Sequence, residues 1–324
     1  MFSGSFVALV TPFKNNRVDI DKLKELVEFH IKKGTSGIVP CGTTGESATL
    51  SHEEHRVVIE TVIKAVNGRI KVIAGTGSNN TNEAIELTRF AKEAGTDGCL
   101  VITPYYNKPT QNGLYLHFEK IAETVDIPIV MYNVPGRTAV NMLPSTVAKL
   151  AKIKNIIGEK EASGNITQIS EIARECGAEF DLLSGDDAMT FPILAVGGKG
   201  VISVAANIVP AEVVELVRAF NKGDVNKSRE MHLKMLPLFA AMFYETNPIP
   251  VKTSMSLMGM ISDEIRLPLC KMSDENLKKL KTTLKEYKLS EEKGSESFFG
   301  RESFGVLSKE RNTPDFIGGT PANS

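Results

Sequence analysis

Ile156-Ile157-Gly158-Glu159-Lys160 is the stretch from which the fold can be worked out. It is short, largely apolar and closed by a lysine, the pattern of a buried strand that ends at a polar site. Seven other runs resemble it: Phe6–Val10, Gly37–Pro40, Lys71–Ala74, Gly98–Ile102, Pro128–Tyr132, Phe180–Leu183 and Gly200–Val204. They start 20 to 34 residues apart, the length of a strand plus a crossover helix. Near-continuous apolar strands indicate burial on both faces, as in a parallel sheet covered by helices.

Eight such units predict a closed (β/α)8 TIM barrel of the α/β class; a doubly wound open sheet is the alternative and fits eight units less well. Helix signals lie between the strands. Asp21 precedes Leu23, Leu26, Val27 and Ile31, with Gly34 as the stop; Ser51 and Glu54 spell a capping box; Thr81 is a candidate cap and Gly95 a terminator; Pro210 suits a first turn. Past Gly223 the alternation stops. Val225–Tyr244, Pro248–Gly259 and Ser273–Tyr287 predict three more helices. The expected organisation is therefore a barrel over 1–223, a small C-terminal helical unit over 224–289, and a disordered tail over 290–324, which is rich in Ser and Gly and has no apolar period.

Charge and cysteine content narrow the function. With 38 basic and 39 acidic residues the net charge is -1, which gives no reason to expect nucleic acid. No run approaches the roughly 18 apolar residues of a membrane span, and Met1–Val10 has no basic segment of a secretion signal. Cys41, Cys99, Cys176 and Cys270 have no paired spacing and predict reduced core thiols in a cytoplasmic protein, with Cys41 expected to pack rather than react. No metal site is expected.

In such a barrel the loops that follow the strands converge on one mouth. Thr43 and Thr44 follow strand two, Tyr105 and Tyr106 strand four, Tyr132 ends strand five and Lys160 strand six, Gly185 follows strand seven, and Ile202 lies in strand eight. A desolvated lysine loses its proton readily, and its neutral amine attacks ketones. That makes Lys160 the candidate nucleophile. Tyr132 is a candidate proton carrier, helped by a hydroxyl chain through Thr43 and Tyr106. Backbone N–H groups around Thr43, Thr44 and Gly45 suit an anion-binding turn before a helix. Pro135-Gly136 suits a tight turn presenting Arg137 to a carboxylate. Each residue taken singly is as easily a core aromatic, a surface cation or a plain turn; their shared placement favours a site.

These motifs carry a resemblance. GTTGES at 42–47, TPYYN at 103–107, YNVPGRT at 132–138, KEASG at 160–164, LLSGDD at 182–187 and GVISV at 200–204 resemble the dihydrodipicolinate synthases. These belong with N-acetylneuraminate lyase and the keto-sugar-acid aldolases among the pyruvate-dependent Schiff-base lyases. The resemblance covers about residues 1–289. It implies that Lys160 forms an imine with pyruvate, that Tyr132, Thr43 and Tyr106 relay protons, and that Thr44, Gly185 and Ile202 line the pyruvate site. It further implies that Arg137 holds the carboxylate of L-aspartate-4-semialdehyde, in a reaction of lysine biosynthesis that needs no separate cofactor. Tyr106 would cross between subunits of a homotetramer built from tight dimers. Arg137 is not expected in the neuraminate lyase branch.

Ser47, Ala48, His52, His55, Asn79, Glu83 and Tyr105 match positions where L-lysine binds in inhibitable members, so the resemblance implies feedback inhibition; by spacing alone the two histidines suit a solvated helix turn. One position departs from the family: Glu159, where an apolar residue is usual. If Lys160 points into the barrel, Glu159 points out toward the helices and needs a partner or water. The rival readings are a related aldolase cleaving a longer keto acid, and a non-catalytic keto-acid-binding barrel, whose mark would be loss of the lysine or tyrosine.

Overall fold

A computed structural model describes residues 1–289. Eight parallel strands close on themselves: β1 (Gly4–Ala8), β2 (Gly37–Val39), β3 (Lys71–Gly75), β4 (Gly98–Ile102), β5 (Ile129–Asn133), β6 (Ile156–Glu161), β7 (Asp181–Ser184) and β8 (Gly200–Ser203). Each pairs with its neighbours in sequence, and β1 pairs with both β2 and β8, which shuts the ring. Every strand lies within two residues of its expected place.

Eight helices cover the barrel: α1 (Ile20–Lys32), α2 (His52–Val66), α3 (Thr81–Ala94), α4 (Gln111–Thr124), α5 (Pro144–Leu150), α6 (Ile166–Cys176), α7 (Thr190–Ala195) and α8 (Pro210–Asn221). The Ser51/Glu54 capping box forms, Gly95 ends α3 in the left-handed region, and Pro210 opens α8. Two caps differ from expectation. Asp19, not Asp21, accepts from the Lys22 N–H and starts α1 two residues earlier; Asn80, not Thr81, caps α3. In both cases an Asp or Asn just upstream reaches a free first-turn N–H.

Three further helices follow: α9 (Val225–Ala241), α10 (Ile249–Leu257) and α11 (Asp274–Glu286). Leu280, Leu284 and Leu289 are buried, so apolar packing continues to the end of the described chain. The expected disorder of 290–324 lies outside the described residues. Among the described residues no helix is long and apolar enough to cross a membrane. Cys41 and Cys99 are core residues as expected, whereas Cys176 is half-buried and Cys270 exposed, because they fall at the end of α6 and in the loop before α11.

The interior of the barrel is filled by Phe2, Phe6, Val39, Ile73, Leu100, Val130, Leu183 and Ile202, while a larger apolar layer joins the strands to the helices. A register shift interrupts β5–β6: Ile129 pairs with Ile156, but Val130 pairs with Gly158. The extra residue, Ile157, packs toward the interior, and after it Lys160 falls in line with Tyr132 on one side and Leu183 on the other. Such irregularities re-aim side chains beside functional sites.

The same alternation sends Glu159 and Glu161 outward. Glu161 is satisfied: it accepts from the Ser163 N–H at 2.6 Å and from Asn133 Nδ2 at 2.9 Å. Glu159 is not. It is 0% exposed and neither carboxyl oxygen has a hydrogen-bond partner. Burial, reinforced by the neighbouring Glu161 charge, raises its pKa well above the ordinary 4.5. The folded chain thus binds a proton that the unfolded chain has released, so stability is lost as pH rises from about 4.5 through the raised value. Glu159→Leu should therefore stabilise the protein near neutral pH by roughly 1–3 kcal/mol, the cost of an unsatisfied buried polar group. Thermal melts at pH 5 and pH 8 would check this: the gain should be larger at pH 8, and an unchanged or lower melting temperature at both would contradict it.

Candidate active site

Lys160 closes β6 inside the barrel, 6% exposed. Its Nζ lies 4.1 Å from the centre of the Tyr132 ring, which is the direct result of their register pairing. Burial lowers the amine to about 7; the Asp187 charge opposes this and Arg137 assists it. Near neutral pH a large fraction of this lysine is therefore the free base. Gly185 lets the side chain pass. A β-carbon there would come within 3.0 Å of Lys160 Cε and 3.1 Å of its Cγ.

Tyr132 is buried too. Desolvation pushes its phenol up to about 12, against the lowering effects of Arg137 and of a hydrogen bond shared with the Thr43 hydroxyl. At neutral pH it is a protonated hydroxyl placed to pass a proton, not a standing phenolate.

Thr43 and Thr44 lie in the loop after β2. Within it the Gly45 N–H donates to the Gly42 carbonyl at 3.1 Å, and the Glu46 N–H to the Thr43 carbonyl at 3.1 Å. The expected anion-binding role of Gly45 is therefore lost to the turn itself, which narrows the candidate donors to Thr43 and Thr44. A 3-10 turn, Ser47–Thr49, comes before α2, so no α-helix begins directly at the motif. Arg137 lies in a single helical turn, Pro135–Thr138, exposed at the mouth. Ile202 is buried in β8 beside Phe6.

Tyr106 is the expected site residue that one chain does not bring in. It is 90% exposed and its φ is 69°, in the left-handed region disfavoured for a bulky residue. Next to it, Asn107 Nδ2 donates to the Asn79 carbonyl at 2.9 Å.

The seven positions of the second set collect on the loops after β2, β3 and β4 and on the first turns of α2 and α3. His52 Nε2 lies 3.2 Å from Glu83, whose other oxygen accepts from the Ser78 hydroxyl. Ser47, Ala48 and Asn79 are partly or fully exposed and Tyr105 is 39% exposed. His55 differs from expectation. It is buried and donates its Nε2–H to the Gly75 carbonyl at 2.8 Å, so it supports the wall and does not stand at the entrance.

The residues that sequence reasoning missed come from the C-terminal unit. Asn247 Nδ2 donates to Thr44 Oγ1 at 2.9 Å, and the Asn247 carbonyl accepts from Arg137 at 3.2 Å. Lys252, wholly buried, pairs with Glu46 of the Thr43 loop at 2.5 Å and lies 4.3 Å over the Phe13 ring. Arg266 grips both oxygens of Glu54 at 2.6 Å and donates to the Thr49 carbonyl at 3.0 Å. The available signal was Lys252, the one charged residue in the helical segment Ile249–Leu257.

A closed eight-stranded barrel with a buried, partly neutral lysine at the strand ends defines the class, a (β/α)8 lyase. Residues 1–287 match the Dihydrodipicolinate synthetase family. The 4-hydroxy-tetrahydrodipicolinate synthase of Geobacter sulfurreducens is 61% identical over 289 residues, covering 89% of this chain and 100% of the relative. The crystal structure of dihydrodipicolinate synthase from Aquifex aeolicus superposes with a TM-score of 0.88 at 54% identity, covering 89% of this chain and 99% of that one. The lysine-bound enzyme from Cyanidioschyzon merolae superposes with a TM-score of 0.87 at 40% identity, with the same two coverages. This chain belongs to the dihydrodipicolinate synthetase family.

Breaking the Lys252–Glu46 pair should loosen the Thr43 loop from beneath. Lys252→Ala leaves a buried carboxylate without its partner, a loss of roughly 3–5 kcal/mol. Denaturant unfolding measures it, and a change below about 1 kcal/mol would mean that water or Arg266 takes over the charge.

Proposed function

We propose that this protein is a 4-hydroxy-tetrahydrodipicolinate synthase that condenses pyruvate with L-aspartate-4-semialdehyde through a Schiff base on Lys160. The observation that carries this reading is the buried Lys160 amine, held near neutrality against the Tyr132 ring in a chain so similar to the Geobacter enzyme.

The neutral Nζ attacks the ketone carbon of pyruvate and the carbonyl π electrons move to oxygen. A proton passes from nitrogen to that oxygen by way of the Tyr132 hydroxyl. A second proton, relayed from solvent by the same hydroxyls, reaches the carbinolamine oxygen, which leaves as water while a C=N bond forms, cationic at nitrogen. A methyl proton passes to the hydroxyl relay and gives the enamine, whose carbon attacks the aldehyde carbon; the aldehyde oxygen takes a proton back from the relay and the cationic imine is restored. Tyr132 and Thr43 share a hydrogen bond, so the proton has a short path with no free phenolate required. Thr44, Gly185 and Ile202 line the pyruvate pocket, and Arg137 at the mouth offers a fork to the aldehyde's carboxylate. The covalent catalyst is a side chain, and the reaction draws on no other cofactor.

The exposed Tyr106 supports a relay completed across a subunit interface, in a homotetramer built as a dimer of dimers. A tyrosine held outward in the left-handed region suits a side chain given to a neighbour's site. L-Lysine is proposed as the inhibitor: Glu83 supplies charge for an ammonium, Asn79 and Tyr105 supply polar groups for a carboxylate, Ser47, Ala48 and His52 form the rim, and His55 braces the wall.

Borohydride with pyruvate should inactivate the protein with one adduct, at Lys160, at a rate that rises with pH through about 7. Peptide mapping reads the position, and labelling of a different lysine in the folded protein would overturn the mechanism. Arg137→Ala should raise KM for the aldehyde about 10- to 100-fold, the loss of one charged hydrogen-bonding partner, with little effect on pyruvate trapping. Equal damage to both half-reactions would make Arg137 a structural residue. Glu83→Ala should abolish inhibition by saturating L-lysine while leaving turnover nearly intact; persistent inhibition in this variant would move the regulatory site elsewhere.

A further inference from the structure

Asp187 has a place in the site that the reading above does not use. It is 2% exposed, in the loop after β7, two residues beyond the Gly185 backbone over which the Lys160 side chain passes. Its Oδ2 accepts from the Val204 N–H at 3.0 Å and the Ala205 N–H at 2.9 Å, which pins the carboxyl to the end of β8. Burial raises its carboxyl to about 6, against the lowering effect of the Ser203 hydroxyl, and Oδ1 has no well-aligned hydrogen-bond partner. Anchoring a turn explains Oδ2. It does not explain a second buried oxygen left without a partner in a loop against which the Lys160 side chain packs.

We propose, resting on the Schiff-base reading, that Asp187 is the positioning residue for the cationic imine, an anchored carboxylate whose charge compensates the nitrogen when pyruvate binds at neutral pH and above. The charges facing Lys160 are Asp187 from the β7 loop and Arg137 from the β5 loop, and they act in opposite senses. Burial and the neighbouring Asp186 resist ionisation of Asp187, while the Ser203 hydroxyl and the Val204 and Ala205 N–H groups favour it; raised to about 6, it is charged at pH 8 and only partly so at pH 6, which further reduces its effect there. Among the described residues Asp187 is thus the named anion that offsets Arg137 at this nitrogen. Condensation of the neutral amine consumes a proton and creates a cation. Condensation of the ammonium replaces one cation with another. A neighbouring carboxylate therefore strengthens pyruvate binding where Lys160 is neutral and changes it little where Lys160 is already charged.

The test is Asp187→Asn, which keeps an oxygen for the Val204 and Ala205 N–H groups, compared with the unmutated chain at pH 6 and pH 8. The pyruvate dissociation constant should rise about tenfold at pH 8, equivalent to about one pKa unit of lost charge stabilisation, and less than about twofold at pH 6. The acid limb of the trapping rate should move down by about one pH unit. Equal changes at both pH values, or none, would overturn the proposal and leave Asp187 as a turn anchor. Asp187→Ser, whose hydroxyl can accept one of the two N–H bonds, serves the same comparison if the asparagine variant does not fold. Failure of both to fold would assign the residue to fold maintenance and likewise overturn the proposal. If the unmutated chain does not trap pyruvate at Lys160, the Schiff-base reading itself falls.

Discussion

Everything at the mouth of this barrel depends on keeping one ammonium-forming side chain out of water. A lysine inside a closed ring of strands loses the hydration that favours its charged form, and its proton affinity drops by orders of magnitude. The closed ring makes that burial possible. In an open sheet, β1 would not pair with both β2 and β8, and the interior that surrounds Lys160 would not exist. The hydrophobic filling by Phe6, Val39, Ile73, Leu100 and Val130 below it is therefore part of the chemistry as well as of the stability.

That arrangement has a cost along the same strand. Strand periodicity places Glu159 and Glu161 on the face opposite Lys160. Glu161 is absorbed into a network with Ser163 and Asn133, whereas Glu159 has no hydrogen-bond partner and a like charge nearby. One strand thus buries three ionisable groups under different conditions. Lys160 is acted on by the Asp187 and Arg137 charges, Glu159 has no hydrogen-bond partner, and Glu161 is held by hydrogen bonds. The register shift at Ile157 sets which of them faces the barrel interior.

The C-terminal helices belong to the site as much as to the fold. Asn247, Lys252 and Arg266 reach back about 200 residues in sequence to Thr44, Glu46 and Glu54. The loop that carries Thr43 and Thr44 is held by its own turn bonds from within and by these three side chains from outside. A buried ion pair contributes little net stability over an apolar pair, but it fixes geometry, since each partner is costly without the other. This is a physical reason for a helical unit to accompany the eight strand–helix repeats.

The sequence by itself determined the eight strands, the closure they imply, the Ser51/Glu54 cap and the candidate residues at the strand ends, because these follow from local periodicity and from the rule that parallel barrels carry their sites where strands finish. Family resemblance added pyruvate and L-aspartate-4-semialdehyde as the substrates that Lys160 and Arg137 would engage. Only the tertiary structure decided the rest. It seated His55 in the wall, drew the Gly45 N–H into a turn, left Tyr106 facing outward, gave Glu159 no partner, and joined Asn247 and Lys252 to a loop some 200 residues away. Strand and cap signals act over a few residues and can be read from neighbours. Burial, partner choice and proton affinity depend on which distant groups a side chain meets, and the chain specifies those contacts only once it has folded.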